Sequence, residues 1–214
     1  MDEVSLLKEK ISSLTIGIVT DDFSLLHDLS SDFDERGCNF VPLSEGEKTG
    51  KELDCLIIQE GIEPPLFEVE DPPTVSIAKT PSMTVDRSIA CSMGRMNPER
   101  LVIGVDPGAR PGLAYLADGI LVHTESAVKP RGVRSRIRVK LFAFEPKKRL
   151  IRIGSGDPLN RDMILKSIVT LGLPIEVVDE RRTTRGTRHR DQNAAVRIAR
   201  TLGERFTGED YIQR

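Results

Sequence analysis

Between residues 100 and 126 the chain reads RLVIGVD, then PGLAYLAD, then ILVHTES. These are three strand-like runs joined by turns too short for the crossover that parallel neighbours need, so an antiparallel three-strand meander is the simplest reading. Asp118-Gly119, between the second and third runs, is a strong hairpin signal, because a two-residue loop of the favoured type needs positive φ at both positions. Gly108 and Gly112 flank the first turn. A meander of this kind, with Asp106 placed where the first strand leaves the core, narrows the folds open to the rest of the chain.

Residues beyond the meander alternate between strand and helix. RLIRIGSG (149–156) reads as a strand, and NRDMILKSIVTLG (160–172) as a helix with Asn160 as a possible cap and Gly172 as its stop. PIEVVDE is a further strand, and DQNAAVRIARTLGER (191–205) an Ala-rich helix capped by Asp191. Residues 131–146, RGVRSRIRVKLFAFEP, carry two periods at once. Val133, Ile137, Leu141 and Phe144 have helical spacing, while Arg134, Arg136, Arg138 and Lys140 alternate as in a strand, and periodicity alone does not decide between them. Taken as a helix, that segment completes the order β-β-β-α-β-α-β-α.

The first half is built otherwise. TIGIVT (15–20) is a short β-branched strand. DDFSLLHDLSSDFDERG (21–37) reads as a helix capped by Asp21 or Asp22, with Phe23, Leu26, Leu29 and Phe33 on one face and Gly37 as its end. NFVPL, LDCLIIQ and TVSIAK are the next strand candidates, so the chain opens as a small open parallel sheet. Charge divides at the same place as pattern. Residues 1–98 hold 19 acidic against 8 basic side chains, and residues 99–214 hold 14 against 23. The stretch CSMGRMNPER (91–100) sits at that switch and places a boundary near residue 97: an acidic α/β domain over 1–97 and a basic one over 98–214. A basic half suits a polyanion.

Three cysteines, Cys38, Cys55 and Cys91, are odd in number and not closely spaced, which predicts free thiols in a reducing compartment. No apolar run approaches the ~20 residues needed to span a bilayer. These features lead us to expect a cytoplasmic protein with no membrane partner.

Two resemblances sharpen the reading. The first 60 or so residues resemble response-regulator receiver domains, which open with a strand, an acidic pair and such a helix. The position of their phosphoacceptor aspartate is Gln59 here, and an amide cannot form an acyl phosphate. That resemblance implies a non-phosphorylated module for partners or dimerisation, beside the simpler reading that Asp21 and Asp22 only cap a helix.

Residues 100 to 205 resemble the ribonuclease H-like fold, in its RuvC/YqgF branch of nucleases. IGVDPGARPGLAYLADG resembles the first two strands of RuvC junction resolvases. VVDERRTT resembles the Asp-Glu-Arg, Thr-Thr segment of YqgF proteins, and RDQNAAVRIAR the terminal helix of both. The resemblance implies an endonuclease dependent on Mg²⁺ or Mn²⁺, acting on a four-way DNA junction or on precursor RNA, and working as a homodimer where junction strands are cut in pairs. Divalent hydrolysis of a phosphodiester needs converging oxygen donors. Asp106 would bridge the ions, and Glu180 and Asp191 would each hold one. Asp157 and His189 are further candidate ligands, Asn193 a possible metal or water contact, and Asp179 a supporting acid. Asp106 as a turn residue, Glu180 paired with Arg181 or Arg182, and Asp191 as a cap are the plainer alternatives.

Arginine supplies separate evidence. KPRGVRSRIRVK (129–140) contributes Arg134 and Arg138, and RRTTRGTRHR (181–190) contributes Arg181, Arg182, Arg185, Arg188 and Arg190 with Thr183 and Thr184 between them. Such forks and hydroxyls suit phosphate. Aromatic residues make up 4% and Trp is absent, which favours backbone and shape recognition over base stacking. Two departures from RuvC stand out. The strand 149–156 carries no acid before Asp157, and the last helix has one clear acid. A non-catalytic nucleic-acid-binding protein that keeps a degenerate site is therefore the alternative. An actin-like ATPase ranks below both, because it needs a second such domain.

Overall fold

A computed structural model describes residues 1–127, 129–179 and 190–207. The chain divides into two compact units. One takes Leu6–Met96 and Phe142–Phe144, and the other Met1–Ser5, Asn97–Leu141 and Glu145–Arg214.

Ahead of the first expected strand lies helix α1 (Glu3–Ser13), an element not among the expectations. The Leu6–Met96 unit then runs β1 (Thr15–Val19), α2 (Phe23–Arg36), β2 (Asn39–Leu43), β3 (Lys48–Thr49), β4 (Cys55–Ile58), β5 (Leu66–Phe67), β6 (Thr74–Ser76) and α3 (Pro81–Ser92). Its main sheet has the order β2-β1-β4-β6 with every neighbour parallel, and β3 pairs with β5 alone. β1 lies in the middle, so Ile16, Ile18 and Val19 are buried on both faces. Asp22 caps α2, its Oδ1 accepting the N–H groups of Ser24 at 2.9 Å and Leu25 at 3.0 Å, and Gly37 ends the helix at φ 66°. Leu29 and Phe33 are buried as their spacing predicts, but Phe23 is 86% exposed. It occupies the first helical position, and the side chains that α2 buries begin at Leu29. Helix α3 is likewise additional. It begins with Thr80 as cap and Pro81 at its first turn, a start signal present in the sequence.

The second unit continues with β7 (Arg100–Asp106), β8 (Gly112–Ala117), β9 (Ile120–Ser126), α4 (Val133–Phe144), β10 (Lys148–Gly154), α5 (Pro158–Ile168), β11 (Ile175–Val178), α6 (Arg190–Arg200) and β12 (Glu204–Arg205). Six strands form one mixed sheet in the order β12-β11-β10-β7-β8-β9. β7, β10 and β11 run parallel, while β7–β8 and β8–β9 are antiparallel. The unit is α/β with a mixed sheet, and its elements follow the expected order β-β-β-α-β-α-β-α, with β12 added. The hairpin turn at Asp118-Gly119 has φ 48° and 81°, both positive as the two-residue loop requires. The Asp118 carboxylate locks it by accepting the Arg100 N–H at 2.8 Å.

One segment left open by its periodicity is decided, and two local expectations change. Residues 133–144 form a helix, in which Val133 and Ile137 are buried one turn apart while Arg134, Arg136 and Arg138 stay in solvent. Asp157, not Asn160, caps α5. Asp191 stands inside the first turn of α6, not at its cap, and the helix stops at Arg200 instead of continuing to Arg205. Glu204 and Arg205 pair with β11, and a Cβ on Gly203 would come 2.6 Å from the Val177 carbonyl oxygen. Only glycine allows the chain that close an approach. Among the described residues no helix is long and apolar enough to cross a membrane.

Candidate metal and nucleic-acid site

Parallel register brings the carboxyl ends of β7, β10 and β11 to one edge of the sheet. Ile153 pairs with Val105 and Gly154 with Val178, and Ser155 N–H donates to the Val178 carbonyl at 3.0 Å. Asp106, the segment Ser155–Asp157 and Asp179 therefore emerge at the same edge, as ligands do at the strand ends of open α/β sheets.

Helix α6 lies across β7 and β8 on one face of that sheet. A Cβ on Gly104 would overlap the Ala195 carbonyl and lie 2.7 Å from the Ala199 Cβ, and a Cβ on Gly112 would overlap the Asp191 carbonyl. Gly104 and Asp106 are two residues apart on one strand, so they share a face. Gly112 is the antiparallel partner of Asp106, and directly opposed residues also share a face. Both relations put the half-buried Asp106 side chain on the side where α6 packs. Asp191, exposed in the first turn of α6, stands at that end of the helix. On the β9 side of the same contact, Thr124 Oγ1 reaches Gln192 Oε1 at 3.5 Å.

Asp157 is engaged otherwise. Its Oδ2 accepts from Asn160 Nδ2 at 2.7 Å and its Oδ1 from the Asn160 N–H at 3.1 Å. The Asn160 carboxamide and then its backbone N–H hold the carboxyl below the usual carboxylate range. Asp179 lines a cleft of about 1020 Å³ with Ser155, Gly156, Arg161 and Glu204. Asn193 is buried in α6. Glu180, Arg181, Arg182, Thr183, Thr184, Arg185, Arg188 and His189 lie outside the described residues, and of Arg190 only the backbone, in α6, is described. Among the described residues no group of three or more His, Cys, Asp or Glu side chains forms a metal cluster. The two acids that do share an edge and a face, Asp106 and Asp191, offer carboxylate oxygens, the donors a hard divalent cation takes.

On α4 the side chains of Arg134 and Arg138 are exposed one turn apart. Arg136 between them is held by Glu125 at 3.3 Å, and the same carboxylate accepts the Tyr115 hydroxyl at 2.8 Å. Gly104 and Gly112 are not among the expected site residues. A glycine inside a strand signals a close backbone approach, so a trace of their role stands in the sequence.

In the Leu6–Met96 unit, Gln59 follows β4 and is tied down. Its Nε2 donates to Asp21 Oδ1 at 2.9 Å, and its Oε1 accepts the Thr20 hydroxyl. The three cysteines are free thiols; burial, then the nearby Asp54 charge, pushes Cys38 up to about 12, and burial, then Cys91, raises Cys55.

No protein-family model and no curated protein matches the chain. Among solved structures it is similar to one titled Thermus thermophilus RuvC structure, at 17% identity and a TM-score of 0.34, over 46% of this chain and 90% of that one.

Proposed function

We propose that the protein is a Mg²⁺- or Mn²⁺-dependent endonuclease of the RuvC/YqgF type that acts on structured nucleic acid, a four-way DNA junction or a precursor RNA. One observation carries the reading: α6 packs on the face of β7 that bears Asp106 and brings Asp191 to the same sheet edge. Asp106 and Asp191, with Glu180 following β11 in sequence, are the residues that would hold the metal. Bound there, the metal would activate water and stabilise the leaving oxygen of a phosphodiester. Arg134 and Arg138, with the arginines and threonines of residues 181–190, would grip phosphates and orient the backbone. A homodimer would suit a junction whose strands are cut in pairs, and a cytoplasmic location would suit the free thiols.

Cleavage of a labelled four-way junction and of a structured RNA, each with and without Mg²⁺, tests the proposal. Wild-type protein should cut at least one substrate only with metal, and Asp106→Asn should lose that activity by a factor of about 10² or more. Equal cutting by both proteins would assign the activity to another site. Asp157, which spends both carboxylate oxygens on Asn160, favours a second reading, a binding protein whose site no longer cleaves. It would bind the same substrates with salt-sensitive affinity, leave them intact, and keep binding after Asp106→Asn.

A further inference from the structure

Resting on the metal reading above, we infer that Gly112 is a positioning residue that sets the gap between Asp106 and Asp191. Asp191, Ala195 and Ala199 recur every four residues and form one stripe along α6. That stripe lies on two glycines, with Ala195 and Ala199 over Gly104 and Asp191 over Gly112. Backbone meets backbone at both points with no room for a methyl group. At Gly112 the two nearest atoms belong to the Asp191 carbonyl group, its carbon at 2.5 Å from a built Cβ, and the third is the Gln192 nitrogen at 3.1 Å. None of these is the end of a flexible side chain that could swing aside, so any side chain at 112 must lift the first turn of α6. The strand partner of Gly112 is Asp106. The same methyl group would therefore raise the Asp191 backbone directly above the residue whose carboxylate it must join. Gly112 would touch no metal and no substrate. Its absent side chain fixes how far apart two ligands, 85 positions from each other in the chain, are held.

Mn²⁺ titration of the full chain, read as free Mn²⁺ by electron paramagnetic resonance, tests this without any cleavage. Wild type should bind and Asp106→Asn should not. Gly112→Ala should weaken Mn²⁺ by about tenfold or more, the scale on which supports of metal ligands act. Adding Asp191→Glu to Gly112→Ala should recover most of that loss, because one more methylene spans the widened gap. In the wild-type background Asp191→Glu should itself weaken Mn²⁺, so the effects of the two changes are not additive. Gly172→Ala, a strained position at φ 65° with nothing near it, should lower stability and keep Mn²⁺ affinity. Wild-type affinity in Gly112→Ala, beside a clear loss in Asp106→Asn, would overturn the positioning role and leave the metal site standing. An equal loss in Gly172→Ala would trace the effect to general instability and overturn it too. If Gly112→Ala does not fold, unchanged affinity in Asp191→Glu alone would refute a fixed gap. Failure of wild type to bind Mn²⁺ would remove the metal reading and this inference together.

Discussion

Arg152 spans three elements with one guanidinium. It sits on β10 with 6% of its side chain exposed; its Nε donates to Glu176 Oε2 on β11 at 2.7 Å, and its Nη1 to the Ala199 carbonyl near the end of α6 at 2.7 Å. A cation at a helix C-terminus is favoured by the exposed carbonyls there. Burial alone would lift the Glu176 carboxyl, but the Arg152 hydrogen bond, the Gly203 N–H and the Arg152 charge outweigh it, and the group lies below its ordinary range. A lowered carboxylate contributes stability above its unfolded pKa, and that contribution is lost as pH falls through the folded value. Glu176→Gln leaves the buried guanidinium without its counter-charge. It should cost about 2 kcal/mol at pH 7, less than a fully buried pair because Glu176 keeps some contact with water. The gap between variant and wild type should close as pH drops below about 4.3, as urea denaturation at pH 7 and pH 3 would register. A gap that stays constant with pH would mean the pair contributes no charge-dependent stability.

α4 is the element on which local pattern and tertiary environment part company. Its sequence alternates Arg with apolar residues as a strand would, yet Val133 and Ile137, four positions apart, are both fully buried with Arg134, Ser135 and Arg136 all exposed between them, as one face of a helix allows. The consequence is that Arg134 and Arg138, which a strand would hold about 13 Å apart, become an exposed pair one helical turn from each other. Replacing both with Ala should leave stability within about 0.5 kcal/mol, since neither is packed. It should reduce the slope of log affinity against log salt by about 2 on DNA duplex and RNA alike, because phosphate contacts carry no sequence information. Fluorescence anisotropy across a salt series reads both. An unchanged slope would remove this helix from the nucleic-acid surface. Most other elements are legible in their own residues: the primed turn at Asp118-Gly119, the Gly37 and Gly172 stops, the β-branched β1. α1 and α3 are absent from the expectations although their signals are local: Asp2 Oδ1 accepts the Ser5 N–H at 2.9 Å at the head of α1, Thr80-Pro81 starts α3, and Gly94, at φ 65°, follows its last turn. The change of cap from Asn160 to Asp157 has a local cause as well: Pro158 fits the first helical position, where its missing N–H is no loss.

Each of the two compact units carries a core of its own, around Ile16, Leu56 and Phe33 in one and Ile103, Leu113 and Ile151 in the other. Ile103→Ala should cost about 2–4 kcal/mol. In hydrogen exchange the loss of protection should fall on β7, β8 and β10, with β1 and β4 keeping theirs. Uniform loss over both sheets would make the chain one cooperative body. The net charge of −2 understates what the basic half can bind, since a polyanion responds to the local field and not to the sum. Strands, tight turns, most helix stops and the division of charge can be read from the linear chain, because each depends on residues a few positions apart. Two outcomes cannot: the helical state of residues 133–144, and the arrival of Asp106 and Asp191 on one face. The last of these rests on surfaces made by distant segments, Gly104 against Ala195 and Gly112 against Asp191, and no local pattern contains the distance between two backbones that touch only after the chain has closed on itself.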